Sequence, residues 1–346
     1  MPCIPGLRRW LAWAATSLAA ATLLPAQVPS AGSEAPKPAR QEVPIGVFTW
    51  LEAPGDRTVL EGLTQGLRDA GIEPRFRHER ALGDAAKATA GLAALRAAAL
   101  PLVVAMGTEA ALQARTALPE QPVLFVSVSH PLASGLCSSW EGAGGNLCGA
   151  STWIAPAEVL SVFELAVPNL RRLGMLRSAQ ANVVAAAEAA TLRAHLQSQG
   201  AGAVELHEAF ARTPAELPRA VDELLQQRVD AVWIPIDAGI YPHTTAVAQA
   251  LAGRRVPLLT TAPSAVPAGA HIGALTDARL HGRRAAALAR AVLRGAAPGR
   301  LPIDRMRSHR IVVNLFAARR QGLELPLSLL ALADELLDPD LPHVPR

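Results

Sequence analysis

The stretch "LVVAMGTEAALQARTALPEQPVLFVSVS", residues 102–129, holds two apolar runs separated by a segment of helical composition. Neither run alternates apolar with polar residues, as a strand with one wet face would. Continuous apolar character is the pattern of a strand covered on both faces, and such strands joined by a helix make a parallel sheet.

The same rhythm continues on both sides. Upstream, "PIGVFTW" (44–50) is a β-branched run, and "DRTVLEGLTQGLRDAG" (56–71) places Val59, Leu60, Leu63 and Leu67 on one helical face with Gly71 as the stop. "PRFRHERA" (74–81) reads as a weaker, polar strand, and "DAAKATAGLAALRAAAL" (84–100) as a helix started by an aspartate. Downstream the pattern restarts with the strands "RRLGMLRS", "AVELHEAF", "VDAVWIPID" and "VPLLTTA", each followed or preceded by an amphipathic segment. The long "GLCSSWEGAGGNLCGASTWIAPAE" (135–158) interrupts the two sets, and the strand total exceeds that of an eight-stranded barrel. The expectation is therefore an α/β protein of two Rossmann-like lobes. The late helix "DARLHGRRAAALARAVLRG" (277–295), the strand "RIVVNL" and a terminal helix are too few for a third domain. They are expected to complete the two lobes, so that the chain crosses between them several times and forms a hinge. The boundaries read as 43–150 with 276–306 for the first lobe, 151–275 with 307–337 for the second, and 338–346 as a tail.

Bulk properties narrow the class. The chain has 346 residues, half of them apolar, and a formal net charge of only +4. Its arginines are interspersed with acids, which gives no footprint for nucleic acid. Arg8 and Arg9 precede the apolar run "WLAWAATSLAAATLLPA" (10–26), followed by small residues and prolines. That is the layout of a secretory signal, assigned to residues 1–27, and it predicts a periplasmic protein. Residues 28–42, rich in Pro, Ala, Ser and charge, read as a flexible tether. Cys137 and Cys148 flank a glycine-rich loop; in an oxidising compartment they are expected to form a disulfide.

In open parallel sheets, ligands sit outside the carboxyl ends of the strands. That rule nominates Thr49, Trp50 and Glu52, then Gly107 with Thr108, and Ser129 with His130. From the second lobe it nominates Ser178 to Asn182, Asp237 with Gly239, and Thr260 with Thr261. Short hydroxyls and a carboxylate suit a small polar organic ligand. Catalytic readings fail on pattern. Ser129 and His130 are neighbours, which on an extended strand end throws their side chains apart, and no G-x-S-x-G elbow occurs. No H-x-x-x-H or H-E-x-x-H pair is present, so no metal site is expected. "GAGGNLCG" (142–149) lacks the strand-turn-helix context of a dinucleotide loop, and no cofactor is expected.

Taken together, "IGVFTWLEAPGDRTVLEGLTQGLRDAGIE", "PVLFVSVSHPLASGL", "VPNLRRLGMLRSAQAN", "VDAVWIPIDAGI" and "RVPLLTTAPSAVPAGAHIGALTDARLHGRRAA" resemble, in order and spacing, the periplasmic substrate-binding proteins of ABC transporters. The narrower likeness is to the type I binding proteins linked to tryptophan and tyrosine uptake, over roughly residues 43–337. The resemblance implies two lobes joined by three crossovers that close on ligand, no catalysis, and a monomer. Its partner would be an ABC permease, or, in the alternative, a membrane histidine kinase or cyclase to which the protein presents its ligand. Ligand contacts carried over by position fall at Thr49, Glu52, Thr108, Ser129, His130, Asn182, Asp237 and Thr261. The chain departs from the resemblance at His130 and Ala262, where aspartates are usual, and at Ser178–Ala179, where asparagine-proline is usual. An ammonium on the ligand would then fall to Asp237.

Overall fold

Residues 102–129 form a strand, a helix and a parallel strand in the structure, a computed structural model that describes residues 41–53, 55–180, 182–200 and 202–340. The expected signal (1–27), most of the expected tether (28–40) and the end of the tail (341–346) lie outside the described residues. The chain begins with β1 (Gln41–Thr49), α1 (Asp56–Asp69), β2 (Ile72–Arg80), α2 (Ala85–Ala97) and β3 (Val103–Met106). It continues with α3 (Thr108–Ala117), β4 (Val123–Val128) and β5 (Leu147–Ser151). Next come α4 (Pro156–Ala166), β6 (Arg172–Ser178), α5 (Val183–Gln199), β7 (Glu205–Ala211) and α6 (Leu217–Gln226). They are followed by β8 (Ala231–Ile234), α7 (Thr244–Ala250), β9 (Leu258–Thr260) and β10 (Ile272–Leu275). The chain closes with α8 (Ala278–Leu293), β11 (Asp304–Arg305), β12 (Arg310–Asn314), α9 (Leu315–Gln321), α10 (Leu327–Leu332) and β13 (Glu335–Leu337).

These strands make two sheets, one of six strands ordered β11-β5-β4-β3-β1-β2 and one of seven ordered β13-β12-β10-β9-β8-β6-β7. Every pairing is parallel except β10 with β12. The strands read from sequence, "RIVVNL" (β12) among them, take their places in these sheets, which end in the short β11 and β13. The local signals of these two are weak because edge strands are short. The segment 213–227 comprises a 3-10 turn (Pro214–Glu216) and α6, and the terminal helix divides into α9 and α10.

Each sheet is covered on both faces, which is why inner strands such as β3 and β8 are apolar throughout. Successive residues of β3 face opposite cores. Val103 and Ala105 join α2 and α3, whereas Val104 and Met106 join α1 and α8. The second sheet is sandwiched in the same way, with α4 and α5 on one face and α6 and α7 on the other. Helix starts follow the side chains in the sequence. Asp84 accepts from the Ala86 and Lys87 amides, Asn182 from Val184 and Ala185, and Asp277 from Leu280.

The chain passes between the sheets at three places: from β5 to α4, from β10 to α8, and from β11 to β12. The first two of these crossing segments are tied together by the Thr276 hydroxyl, which donates to the Thr152 carbonyl at 3.1 Å.

The expected disulfide is absent. Cys137 and Cys148 are free, buried thiols. Cys137 packs in the core shared with α2 and α3, whereas Cys148 on β5 points into the core shared with α1 and α8. The sheet stands between them, because strand alternation sends Cys148 to the face opposite Cys137. Burial raises both thiol pKa values, that of Cys148 to about 12. Alkylation without reductant should therefore leave both residues unmodified in native protein and modify both in denaturant. A pair that stays blocked in denaturant until reductant is added would restore the disulfide.

Candidate ligand-binding site at the carboxyl ends of the sheets

The strand orders put a topological switch point between β1 and β3 in one sheet and between β6 and β8 in the other. Ligands of open α/β sheets sit at such points, outside the carboxyl ends of the strands.

On the first sheet, Thr49 is buried at the end of β1 and Trp50 is half-buried behind it. Thr108 opens α3 directly after Gly107, whose φ of +88° lets the chain turn from β3 into the helix. Glu52 points away to the rim and pairs with Arg80 at 2.5 Å. Thr49 and Glu52 also line a cavity of about 730 Å³ that runs along α1, past Asp56 and Leu60, towards β2. The Ser129 hydroxyl lies 3.4 Å from that of Thr152, and its carbonyl accepts from the Ser151 hydroxyl at 2.7 Å. Next to it, the His130 ring packs against Trp153 with centroids 4.2 Å apart and against Trp140 at 5.5 Å. Burial lowers its pKa, so the ring is neutral at pH 7.

Two residues that strand-end reasoning did not nominate support this edge. β4 carries a bulge after Phe125, and Ser127 within it has φ +58°, a costly conformation for a serine. The Ser127 amide donates to Nε2 of His281 at 3.0 Å. His281 is fully buried on α8, its pKa pushed down to about 4 chiefly by burial. Asp56 accepts from the Ala53 amide at 2.8 Å and also engages the Ser127 hydroxyl.

On the second sheet, Asp237 and Asn182 come together with Ser178. Asp237 is fully buried and its acceptor sites are taken by the protein itself. Oδ2 accepts from the Ser178 amide at 2.8 Å and its hydroxyl at 3.0 Å. Oδ1 accepts from the Ser178 hydroxyl at 2.9 Å, the Gly239 amide at 3.0 Å and Nδ2 of Asn182 at 3.3 Å. Such a carboxylate locks the ends of β6 and β8 to the start of α5. Thr261 follows β9, and its buried hydroxyl lies beside the carboxyl of Glu188, a residue absent from the strand-end set.

Glu188 lies on the buried face of α5, in line with Ala185, Ala189 and Leu192. Its Oε2 accepts from the Ile236 amide at 3.3 Å. Burial, assisted by the Asp237 charge, pushes its pKa up to about 8. The one sequence signal was a glutamate inside an apolar helical stripe, where a charge has no business without a partner.

A family model described as ABC transporter substrate binding protein matches residues 44–337. The chain belongs to that family. A tyrosine-binding protein of Clostridioides difficile (strain R20291) is 22% identical over 274 residues, covering 78% of each chain. Among solved structures, an ABC domain in complex with L-Trp from Streptococcus pneumonia superposes with a TM-score of 0.68 at 22% identity, over 86% of this chain and all of that one. A ligand-free, open substrate-binding protein with adhesive properties from Clostridium difficile gives 0.72 at 20% identity, over 82% of this chain and 96% of that one. At these identities the likeness to the solved structures is one of fold, the type I periplasmic binding fold with two parallel-sheet lobes.

In this substrate-binding protein, the candidate strand ends present a row of hydroxyls, amides and aromatic rings, and Asp237 and Glu52 among them are engaged by protein groups. Among the described residues no group of three or more His, Cys, Asp or Glu is placed to hold a metal ion. Asp237→Ala should cost at least about 2 kcal/mol of stability in urea titrations, because it strands the Ser178, Asn182 and Gly239 donors. An unchanged midpoint would show that those donors find water instead. Glu188 gives a signed pH dependence. The folded state keeps its proton up to about pH 8, while the unfolded chain releases it near the ordinary 4.5. The native state thus binds more protons between these values, and stability falls as pH rises through that window. Glu188→Gln should flatten the decline of melting temperature between pH 5 and 8, and an unaltered slope would assign it elsewhere.

Proposed function

We propose that the protein is the exported solute-binding component of an ABC uptake system. It binds a small organic ligand between the facing carboxyl ends of its two sheets and hands it to a membrane permease. The observation that carries this reading is the pair of matched switch points on two like-ordered sheets joined by three hinge segments. Each edge alone presents half a binding surface, and hinge closure would bring the halves together and exclude water from the ligand. The family match supports the transport role, and the relatives named for tyrosine binding and for an L-Trp complex indicate the ligand's size. Among the described residues no helix is long and apolar enough to cross a membrane.

The side chains best placed to touch ligand are Thr49, Trp50, Thr108, Ser129 and His130 from the first lobe, while the Thr261 hydroxyl of the second is buried beside Glu188. Asn182 and Asp237 act behind the surface by holding it in shape. A thermal-shift screen over amino acids, purines and organic acids should find a solute that raises the melting temperature by several degrees, since ligand that binds only the native state adds stability. The same solute should reduce the radius of gyration in X-ray scattering, and Thr108→Val with Ser129→Ala should weaken it by about tenfold or more. No stabilising solute, or binding without compaction, would defeat the reading.

A further inference from the structure

The hinge side of the first lobe has a chemical bias that its sequence alone does not display. Nδ1 of His130 accepts a hydrogen bond from the Ala133 amide at 3.2 Å. In a neutral imidazole one nitrogen accepts and the other carries the hydrogen, so the proton of His130 stands on Nε2. Nε2 makes no hydrogen bond to the described residues, and the ring is half-exposed at the end of β4. His130 therefore offers a donor to the cleft and no acceptor.

Beside it stands a cation. Arg305, at the carboxyl end of β11, places its guanidinium 5.1 Å from the centre of the Trp140 ring. It has no carboxylate partner among the described residues, unlike its neighbour Arg284, which pairs with Asp304. Trp140 in turn meets His130, and His130 meets Trp153, so donor, cation and two indole faces form one continuous group. Arg305 pairs in register with Ser151 of β5, which in turn pairs with Val128 of β4, so the group shares one sheet edge with Ser129.

The carboxylates at the strand ends each already hold a protein partner, Asp277 after β10 through the Leu280 amide. Asp237 is filled by Ser178, Asn182 and Gly239, and Glu188 lies buried against the Ile236 amide. Glu52 is paired with Arg80, and Asp56 with the Ala53 amide, across the switch point from His130. A ligand ammonium would have to share a carboxylate that already serves a protein donor, and its desolvation would be poorly compensated in a closed site. A carboxylate would meet Nε2–H in the field of the Arg305 cation, and a planar body would find the partly exposed Trp140 ring.

We propose that the cleft selects a small planar organic acid that carries a carboxylate and no free ammonium group, with His130 and Arg305 as the residues that set the preference. The inference rests on the solute-binding reading and narrows its ligand. The test is calorimetric titration of the full chain with matched sets: indole-3-acetate, L-tryptophan and tryptamine, then 4-hydroxyphenylacetate, L-tyrosine and tyramine. In at least one set the acid should bind at least about tenfold more tightly than the amino acid, with the amine not binding. Arg305→Gln should weaken the acid by about tenfold, and His130→Asp should reverse the order of acid and amino acid. Melting curves without ligand report whether each variant is folded, and the exposed Arg305 decides the matter if the histidine variant is not. An amino acid or amine that matches the acid overturns the inference, as does an acid indifferent to both substitutions. Binding by none of the compounds also overturns it, while the solute-binding reading falls only if the wider thermal-shift screen is empty as well.

Discussion

The first lobe exists because α8, which arrives from the second lobe, lies directly on α1. The two helices touch backbone to backbone. A Cβ on Gly282 would stand 2.0 Å from the Val59 carbonyl, and one on Gly62 would stand 2.1 Å from that of Arg279. No larger side chain fits at either position without pushing the helices apart. The ion pairs beside the seam, Arg279 with Glu61 and Arg283 with Asp69, are half-exposed and add little; the close approach itself does the fastening. Because α8 is held there, the chain must leave the first sheet after β5, return after β10 and leave again after β11. The three hinge segments follow from this one contact. So does the placing of His281, one residue from Gly282, under the Ser127 amide at the lobe's binding edge.

The two edges solve the problem of buried polar groups differently. The second lobe spends its carboxylates on itself. Asp237 is saturated by amides and hydroxyls, and Glu188, with little but one amide to hold it, keeps its proton. Both are consistent with burial, since an ionised carboxylate survives in a low dielectric only when donors surround it. The first lobe leaves its polar groups open. Ser129, Thr108, His130 and Arg305 are half-buried or exposed, and they stand on strand ends and the first turn of a helix rather than in a sealed network. A rigid, self-satisfied half facing an unsatisfied half would suit the proposed cleft, which would close reproducibly and give its hydrogen bonds to a guest.

Much of this was legible in the chain. The apolar strands at 103–106 and 123–128 specify a sheet covered on both faces, and Asp84 marks a helix start that the structure keeps. What stayed hidden depends on non-local geometry. Cys137 and Cys148 are close in sequence, but one lies in a loop on the α3 side and the other on the opposite face of β5, which spacing cannot express. The short β11 has no local pattern at all; it is a strand only because β5 offers an unpaired edge. Among the site residues, the strand-end rule finds the positions but not their state. It cannot say that Asp237 is already filled or that Glu52 turns outward to Arg80.

That difference between position and state governs how the cleft should be understood. A carboxylate at a strand end suggests a partner for a cation only while its oxygens are free, and hydrogen-bond geometry decides that. With Asp237 used up, the functional asymmetry passes to groups whose importance lies in what they lack. His130 has a donor with nothing to donate to, and Arg305 has a charge with no counter-charge among the described residues. The aromatic rings around them lower the local dielectric and sharpen the preference, because a charge–charge contact gains strength as water is excluded. Closure of the second lobe over this edge would therefore enlarge the discrimination between an anionic and a cationic guest rather than merely trap whichever had entered.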